Sequence, residues 1–440
     1  MARGGDESTR VTGRSLAVWL AAVAVYITAT TGRTSFGVAG VAALDHFQID
    51  ASRVAVFTAV QVGVYSLMQI PMGLAVDRFG PRRMLVVGAV IMAIGQIILG
   101  CTAAYAVAIS ARVLIGAGDA TAFLSVLRIL PNWFPLRRAP LMMQLTSALG
   151  QLGQVLSAIP FAAILYSRGW VTAFVSLGAT GLIVAVAAIL VIRDVPEPVR
   201  SVRKQAPVKL AAALCCVITH PACWQGFFTH FTCIFPQIVF TLIWGVPLMS
   251  LGLGLSQSQI STVLVANMVV IMIASPLAGL VSGRVGRGRD GLVLASAVIL
   301  AGGWVWFLLP AAPRSFTVLM AVNLMMAVVS PAGNFAFDTV REYMDRRVLA
   351  AGTGLANMGG FTGGMLATQG IGVLLDVAHG DSGSGYVWAD FQFAGSAALA
   401  VWGLGIIGFL ISRRALRKHD ATRPSAQGEE NPAQGAIGVR

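Results

Sequence analysis

The sequence is poor in charged residues. Asp, Glu, Lys and Arg make up 11% of its 440 residues, while 56% are hydrophobic. A soluble domain carries about 25% charged residues, so this chain has too few ionised groups to cover a water-soluble body of its size. Its apolar runs are continuous rather than alternating, which excludes a β-barrel. The composition therefore predicts an all-α membrane protein in contact with the lipid bilayer.

Lysine, cysteine and catalytic motifs are scarce as well. No lysine precedes Ser or Thr, so the chain has no P-loop for ATP. The five cysteines form no C-x-x-C pair, and no H-E-x-x-H or Ser/His nucleophile motif occurs. We therefore predict no enzyme activity, no cofactor and no metal site. The net charge of +13 comes from small clusters between apolar runs rather than from one basic face, so nucleic acid is not an expected partner.

Apolar runs of about 20 residues predict twelve membrane-spanning helices, numbered here as spans one to twelve. They are 16–43, 52–76, 84–104, 106–130, 141–166, 170–192, 224–250, 258–282, 292–311, 315–338, 350–377 and 388–412. The predicted organisation is two six-helix bundles with a linker and two tails. Its parts are an N-terminal tail (1–15), a first bundle (16–192), a linker (193–223), a second bundle (224–412) and a C-terminal tail (413–440).

The basic residues predict the direction of the spans. Of 31 Lys and Arg residues, 25 lie in the even-numbered loops, the linker and the tails, and only Arg53, Arg168 and Arg314 lie in odd-numbered loops. Cytoplasmic loops of membrane proteins carry such an excess. We expect a multi-pass protein of the plasma membrane, in a bacterial inner membrane, with both termini in the cytoplasm.

A loop motif occurs twice, at an offset of 206 residues. Residues 73–83 read GLAVDRFGPRR, and residues 279–289 read GLVSGRVGRGR. Matching loops in two six-helix halves are typical of a duplicated transporter scaffold, in which the substrate site lies between the halves.

The first loop resembles the signature loop of the major facilitator superfamily. The resemblance covers residues 16–412 in span number, linker position and both loops. It implies two pseudo-symmetric six-helix bundles and a transporter that works as a monomer by alternating access, driven by an ion gradient, with H⁺ as the expected ion. In that family the loop latches the cytoplasmic side of the outward-open state. The resemblance thus implies a conformational gating role for Gly73, Asp77, Arg78, Gly80, Arg83 and Arg284.

Span four contains two candidates for proton coupling. The string from Arg112 to Gly118 resembles the R-x-x-x-G-x-G motif that the family associates with proton coupling. Asp119 is the most deeply placed acid, and it either carries the proton or forms a structural pair with another helix. The fifth-span motif of proton antiporters is not matched by residues 150–160.

Two arginines are candidate substrate ligands. Arg33 lies well inside span one, where a charge costs about 3 kcal/mol, and Arg128 lies near the end of span four. Together with the string RILPNWFP at 128–135 they resemble the anion:cation symporters of the superfamily, which bind sugar acids and similar carboxylates through arginines in spans one and four. A guanidinium suits a carboxylate because it donates two parallel hydrogen bonds. Gly32 stands where that branch often has an acid. A structural ion pair for Arg33 and a position for Arg128 that reaches the interface are the alternatives.

Polar side chains form one stripe along span two and another along span five. The stripes are Gln61, Tyr65 and Gln69, and Gln144, Ser147, Gln151 and Gln154. In lipid such side chains face water or other helices, so they either line a cavity or join helices. Gln61, Tyr65 and Gln151, with Asn334 from the second half, are candidate substrate contacts. The expected function is proton-coupled uptake of a small organic anion, a carboxylate or sugar acid. The alternative is proton-driven efflux of drugs or metabolites.

Overall fold

The computed structural model describes residues 11–49, 51–196, 209–379 and 386–422. Every regular element in these ranges is a helix, which confirms the all-α prediction. Much of the two predicted tails and of the linker, at 1–10, 197–208 and 423–440, lies outside the described residues.

Ten helical stretches of the described chain are long and apolar enough to cross a bilayer, and the bent pair Val56–Leu67 and Gln69–Phe79 makes eleven. One stretch, Leu136–Val191, has 56 residues. At 1.5 Å per residue it would be about 84 Å long, far more than one crossing needs. Gly169, with φ +84°, interrupts it. The stretch therefore contains spans five and six, and the described chain has about twelve spans, as predicted.

Spans one to six form the N half, and spans seven to twelve form the C half. The spans of the N half are Gly13–Val38; Ala51–Leu67 with Gln69–Phe79; Pro81–Cys101; Tyr105–Trp133; Ala139–Gly150 continued by Leu152–Leu156, Ser157–Phe161 and Ala162–Arg168; and Trp170–Val191. Those of the C half are Pro221–Gly252, Gln257–Val285, Arg289–Leu308, Phe316–Tyr343, Leu349–His379 and Trp388–Ala421.

Two short helices differ from the sequence-based expectation. Span one ends at Val38, and Gly40–Phe47 forms a separate helix where a single span to residue 43 is predicted. Leu210–Thr219 is helical inside the predicted linker. Its ten residues are too short to cross a bilayer. Instead it buries Ala213 and Val217 in the hydrophobic core.

Among the described residues, the hydrophobic clusters that contain residues of both halves lie at one end of the protein. We call this the arginine-rich end, because it holds the loops at 79–83, 134–138, 286–289 and 343–348. The largest cluster contains residues of both halves, and Phe123 and Phe337 meet there with ring centroids 5.3 Å apart. Two further clusters belong to the C half and to the N half alone. The halves are therefore closed against each other at the arginine-rich end.

Two glycines of the repeated loop motif permit this closure. A Cβ on Gly73 would lie 2.6 Å from the carbonyl oxygen of Ala350, at the start of span eleven. A Cβ on Gly279 would lie 2.9 Å from the carbonyl oxygen of Pro140, at the start of span five. Only glycine allows two backbones to approach so closely. Since these glycines are equivalent in the repeat, the two halves meet in a pseudo-symmetric way.

We expect Gly73→Leu to force the arginine-rich end open, because the new side chain would overlap the backbone of span eleven. Over-packing of this kind costs about 1–3 kcal/mol. The distance between spin labels at the exposed positions Arg83 and Arg346, measured by double electron–electron resonance in a variant without the native cysteines, should lengthen. Gly63→Leu is the matched control, since no atom from elsewhere in the described chain lies within 4 Å of a Cβ there. An unchanged distance in Gly73→Leu would contradict the proposed contact.

Candidate functional site

An ion pair between spans one and four lies deep in the N half. Arg33 donates from Nε and Nη2 to the two carboxylate oxygens of Asp119, over 2.7 and 2.9 Å. The Asp119 side chain is wholly buried, and that of Arg33 is 18% exposed. This two-point, charge-assisted geometry is the strong form of an arginine–carboxylate pair. The predicted alternative of a structural partner for Arg33 is thus present, and the partner is the acid that we singled out for proton coupling.

The position of Asp119 follows from the packing of span four. Tyr105 and Trp133, the ends of this helix, are each 14 residues away, which is about 21 Å. The glycines just before Asp119 let neighbouring helices come close. A Cβ on Gly118 would lie 2.6 Å from the Gly88 carbonyl oxygen, and one on Gly116 would lie 2.7 Å from that of Gln61. The two glycines of the R-x-x-x-G-x-G string therefore pack span four against spans three and two.

Tyr65 connects the ion pair to the C half. The Arg33 guanidinium carbon lies 4.4 Å from the centre of the Tyr65 ring. The Tyr65 hydroxyl accepts a hydrogen bond from Asn357 Nδ2 at 3.0 Å, and its ring meets Phe361 of span eleven at 4.8 Å. Arg33 therefore lies at the boundary between the halves, where a transporter of this architecture binds its substrate.

Arg112 and Gln61 are buried and incompletely hydrogen-bonded. The Arg112 guanidinium lies 4.8 Å from the Phe36 ring, and its Nε reaches the Phe57 carbonyl oxygen at 3.5 Å. Within the described residues, its Nη1 has no hydrogen-bond partner, nor has either amide atom of Gln61. Most buried polar atoms are paired, so this region holds more hydrogen-bonding capacity than the protein itself uses.

A side chain at position 32 would have to displace the amide of Gln96. Gln96 of span three donates from Nε2 to the Gly32 carbonyl oxygen at 3.2 Å, and a Cβ on Gly32 would lie 2.7 Å from the same nitrogen. Within the described residues, Asp119 is the only carboxyl group more than six residues from the end of its span.

The structure does not bring Arg128 to Arg33, so the predicted carboxylate site made of both arginines is not formed here. Arg128 Nε donates to Asp77 at 3.1 Å. Nine residues of helix separate Arg128 from Asp119, which moves it about 14 Å along span four and to the opposite face. In this state Arg128 is a partner of the loop motif, and its role as a substrate ligand stays a prediction.

Asp77 holds the start of span eleven. Its carboxylate oxygens accept hydrogen bonds from the backbone amides of Ala350 and Ala351, at 3.1 and 2.9 Å. These are unpaired donors of a helix N-terminus, which favours a negative charge. Asp77, Arg128 and the two amides form what we call the Asp77 latch.

The other loop residues have different surroundings. Gly80 has φ +89°, a conformation that favours glycine, and a Cβ there would lie 2.7 Å from Asp194 Oδ2. Arg78 lies over its neighbour Phe79, with its guanidinium carbon 5.5 Å from the ring centre. Arg83 and Arg284 are exposed. The structure thus places Gly73 and Asp77 in direct contact with the other half, and the gating role of the set stays a prediction.

Sequence reasoning missed the acids that support the loops. Asp194, just after span six, accepts a hydrogen bond from the Arg82 backbone amide at 2.8 Å. In the second copy, Gly283 stands where the first has Asp77. There Asp338 of span ten is buried, pairs with Arg341 at 2.6 Å and accepts from Ser282. The signal was available, since Asp338 and Arg341 are three residues apart near a helix end.

The polar stripes mainly join helices. Gln144 donates from Nε2 to the Pro331 carbonyl oxygen at 2.9 Å and accepts from Asn334 Nδ2 at 2.9 Å, which links spans five and ten across the halves. Gln69 accepts from Asn357 Nδ2 at 2.9 Å. Gln151 accepts from Gln154 Nε2 within span five at 2.6 Å.

The C half contains a neutral polar row that sequence reasoning did not assemble. Gln237 Nε2 donates to Asn267 Oδ1 at 2.5 Å, and Asn267 Nδ2 donates to Asn323 Oδ1 at 2.9 Å. Asn323 lies in a long apolar run and its isolation there was the available signal. The row joins spans seven, eight and ten without an ionised group.

Comparison with known proteins identifies relatives of this chain. The sequence profile described as Major Facilitator Superfamily matches residues 22–368. A probable sulfoacetate transporter of Cupriavidus necator is 22% identical over 304 residues, 67% of this chain and 70% of that protein. A probable L-galactonate transporter of Escherichia coli is 25% identical over 193 residues, 43% of this chain and 42% of that protein. An uncharacterized transporter of Bacillus subtilis is 28% identical over 146 residues, 33% and 34% of the two chains. The matches to these last two cover less than half of each relative.

We expect strong energetic coupling between Arg33 and Asp119. Arg33→Gln and Asp119→Asn should each cost about 3–5 kcal/mol of unfolding free energy, because each leaves an uncompensated buried charge. The double variant should cost much less than the sum. Denaturant titration in detergent micelles measures the double-mutant cycle.

The exposed pair Arg347–Asp345 is the control for that cycle. Its side chains are 48% and 47% exposed at a distance of 2.8 Å, and the Arg347 guanidinium holds the pKa of Asp345 below its ordinary value. An exposed pair contributes less than about 1 kcal/mol. Additive losses at Arg33 and Asp119 would show that the buried pair is not an energetic unit.

Arg128→Gln should loosen the Asp77 latch, because it removes a charged hydrogen bond of about 1.5–3 kcal/mol. The spin-label distance between Arg83 and Arg346 should then broaden toward longer values. Arg138→Gln is the control, since Arg138 is exposed in the adjacent loop. A distance distribution identical to that of the unmodified protein would show that Arg128 does not stabilise the Asp77 latch.

Proposed function

The chain belongs to the Major Facilitator Superfamily of membrane transporters, and from that premise we propose that it takes up a small organic anion, a carboxylate or sugar acid, together with a proton. The observation that carries the proposal is the ion pair of Arg33 and Asp119, deep in the protein, at the boundary of the halves and partly exposed. Two relatives are named for sulfoacetate and L-galactonate, both anions, which supports the choice of substrate class.

Arg33 is the proposed ligand of the anion. Its guanidinium already presents two donors to a carboxylate, that of Asp119, and the carboxylate of a substrate fits the same fork. The Tyr65 ring also lies against the guanidinium, with its centre 4.4 Å from the guanidinium carbon. Gln61, whose amide has no hydrogen-bond partner in the part of the chain that the structure describes, is a further candidate contact.

Asp119 is the proposed carrier of the proton. While it is ionised, it neutralises Arg33 and competes with the anion. Once it is protonated, Arg33 lacks a counter-ion in a poorly solvated place, which costs several kcal/mol. Binding of the substrate anion neutralises the charge of Arg33 again. Proton and anion therefore favour each other's binding, which is the thermodynamic requirement for symport.

The closed end supports the proposed entry of the substrate from the outside. The Asp77 latch and the glycine contacts close the arginine-rich end, which the distribution of basic residues predicts to be cytoplasmic. The exposed part of Arg33 is then reached from the outside. Opening of the Asp77 latch, together with closure of the outer ends of the two halves, would release the substrate to the inside. The ion pair of Arg33 and ionised Asp119 would then re-form, and the empty transporter would return to the outward-facing state.

One proton should accompany each anion. Asp119 is the only deep carboxyl group among the described residues, and residue 32, where the anion:cation symporters often have an acid, is glycine. Transport of a monovalent anion with one proton moves no net charge, whereas transport of a divalent anion moves one negative charge.

The test is transport by the purified protein in liposomes, recorded with an internal pH dye. L-galactonate, sulfoacetate, short monocarboxylates and a lipophilic cation form the panel. We expect protons to enter with an anion, and Arg33→Gln to reduce this flux at least about a hundredfold, which corresponds to a loss of about 2.7 kcal/mol. Arg347→Gln, at an exposed loop position, should transport normally.

Asp119→Asn separates coupling from binding. This variant should still exchange labelled anion across the membrane, but a pH gradient should no longer drive accumulation. Proton entry that persists in Asp119→Asn would assign the proton to another group. Proton movement opposite to the lipophilic cation, indifferent to Arg33→Gln, would replace uptake by the efflux alternative.

A further inference from the structure

A cavity of about 560 Å³ lies in the C half, at the end away from the arginine-rich loops. Spans seven, nine and twelve form most of its walls, through side chains that include Phe240, Trp244, Trp304, Leu308 and Ala398. The cavity is separate from the Arg33–Asp119 pair, which belongs to the N half. Its volume lies in the range of ligand-binding cavities.

The repeat supplies a direct comparison with the N half. Trp170, the first residue of span six, donates from Nε1 to the Leu99 carbonyl oxygen of span three at 3.0 Å. Trp388, the first residue of span twelve, donates in the same way to the Pro310 carbonyl oxygen after span nine at 3.0 Å. The outer ends of spans three and six, and of spans nine and twelve, are therefore joined by the same bond.

Beneath this shared bond the two halves are packed differently. In the N half, spans one, three and six meet through Phe36, Leu99 and Phe174, which are 1%, 0% and 0% exposed. A pocket lined by these three spans, which extends from Gln96 away from the outer end, measures about 10 Å³. In the C half the equivalent spans enclose the large cavity. The fold itself does not require that space.

The geometry of span seven explains the difference. It contains two π-helical turns, Phe240–Trp244 and Leu248–Gly252, beside the cavity. Span one is α-helical throughout Gly13–Val38. A π-turn widens a helix and displaces its axis, and such turns are frequent at functional sites. Span seven therefore stands away from spans nine and twelve where span one packs closely.

The surroundings of the cavity indicate what fills it. Large apolar side chains next to it face outward, with Leu309 75%, Phe393 50% and Leu399 42% exposed. In a membrane protein such a surface faces hydrocarbon. The walls are mainly aromatic and aliphatic, so water would find few hydrogen-bond partners inside. Apolar atoms entering from the bilayer would gain van der Waals contacts that the walls otherwise lack.

We propose that this cavity binds one acyl chain of a phospholipid from the bilayer leaflet at the outer end. The chain enters sideways and occupies the space that Phe36, Leu99 and Phe174 fill in the N half. It acts as a removable wedge that keeps span seven apart from spans nine and twelve.

The test is photocrosslinking with a phospholipid that carries a diazirine in its acyl chain. The full-length protein is placed in lipid nanodiscs with this lipid, irradiated and mapped by peptide mass spectrometry. Adducts should be several-fold more frequent on the cavity walls, at 235–248, 304–309 and 389–402, than on span six. Span six is a fair reference because Ile183 and Leu190 are 70% and 69% exposed and equally accessible to lipid.

Cavity-filling variants make the test specific. Ala398→Phe fills the cavity and should abolish the enrichment. Ala400→Phe, on the exposed face of the same helix, should keep it. Val305→Trp, which also lines the cavity, is a second filling variant should Ala398→Phe fail to fold. The proposal would be overturned if adducts on the cavity walls were no more frequent than on span six. It would also be overturned if neither Ala398→Phe nor Val305→Trp reduced the labelling of the walls. Labelling displaced by a small lipophilic molecule but not by excess unlabelled phospholipid would replace it with a small-molecule site.

Discussion

A charge in the middle of a membrane-spanning helix must be neutralised by a group on another helix, and this requirement organises the N half. Arg33 of span one is held by Asp119 of span four. Span four can bring Asp119 there because Gly116 and Gly118 let it approach spans two and three. Tyr65 covers the pair and extends it to span eleven. The pair thereby fixes the mutual positions of three helices and gives the C half a contact with the charged centre.

The two halves use the same scaffold with different chemistry. The N half places two arginines and a carboxylate in its interior, whereas the C half joins spans seven, eight and ten through Gln237, Asn267 and Asn323. The loops differ in the same sense, since Asp77 of the first copy has Gly283 as its counterpart. On the proposed function, the N half would respond to protonation and to anions, and the C half would supply a neutral wall that moves against it.

Much of the fold could be predicted from the sequence, because apolar runs and loop arginines report directly on contact with lipid. Span number, helix class and the close approach at Gly73 depend on such local patterns. The partner of Arg128 could not be predicted, because Asp77 is 51 residues away and the pairing depends on how spans two and four cross. Spacing did show that Arg128 and Asp119 face opposite sides of span four, but not which helix lies on each side. The π-turns of span seven, and the cavity beside them, also leave no periodic signal in an all-apolar run.

The Asp77 latch reaches span eleven through the backbone amides of Ala350 and Ala351, and Gly73 likewise touches backbone atoms. Every amino acid except proline offers that amide. The side chains at 350 and 351 are constrained by packing instead, since Ala350 and Ala351 are 1% and 0% exposed and belong to the hydrophobic clusters of the closed end. The hydrogen bonds to Asp77 thus specify a backbone position, and the surrounding core specifies a small side chain at that position. A substitution on the span-eleven side preserves the closed state only if it keeps both the amide and the small volume.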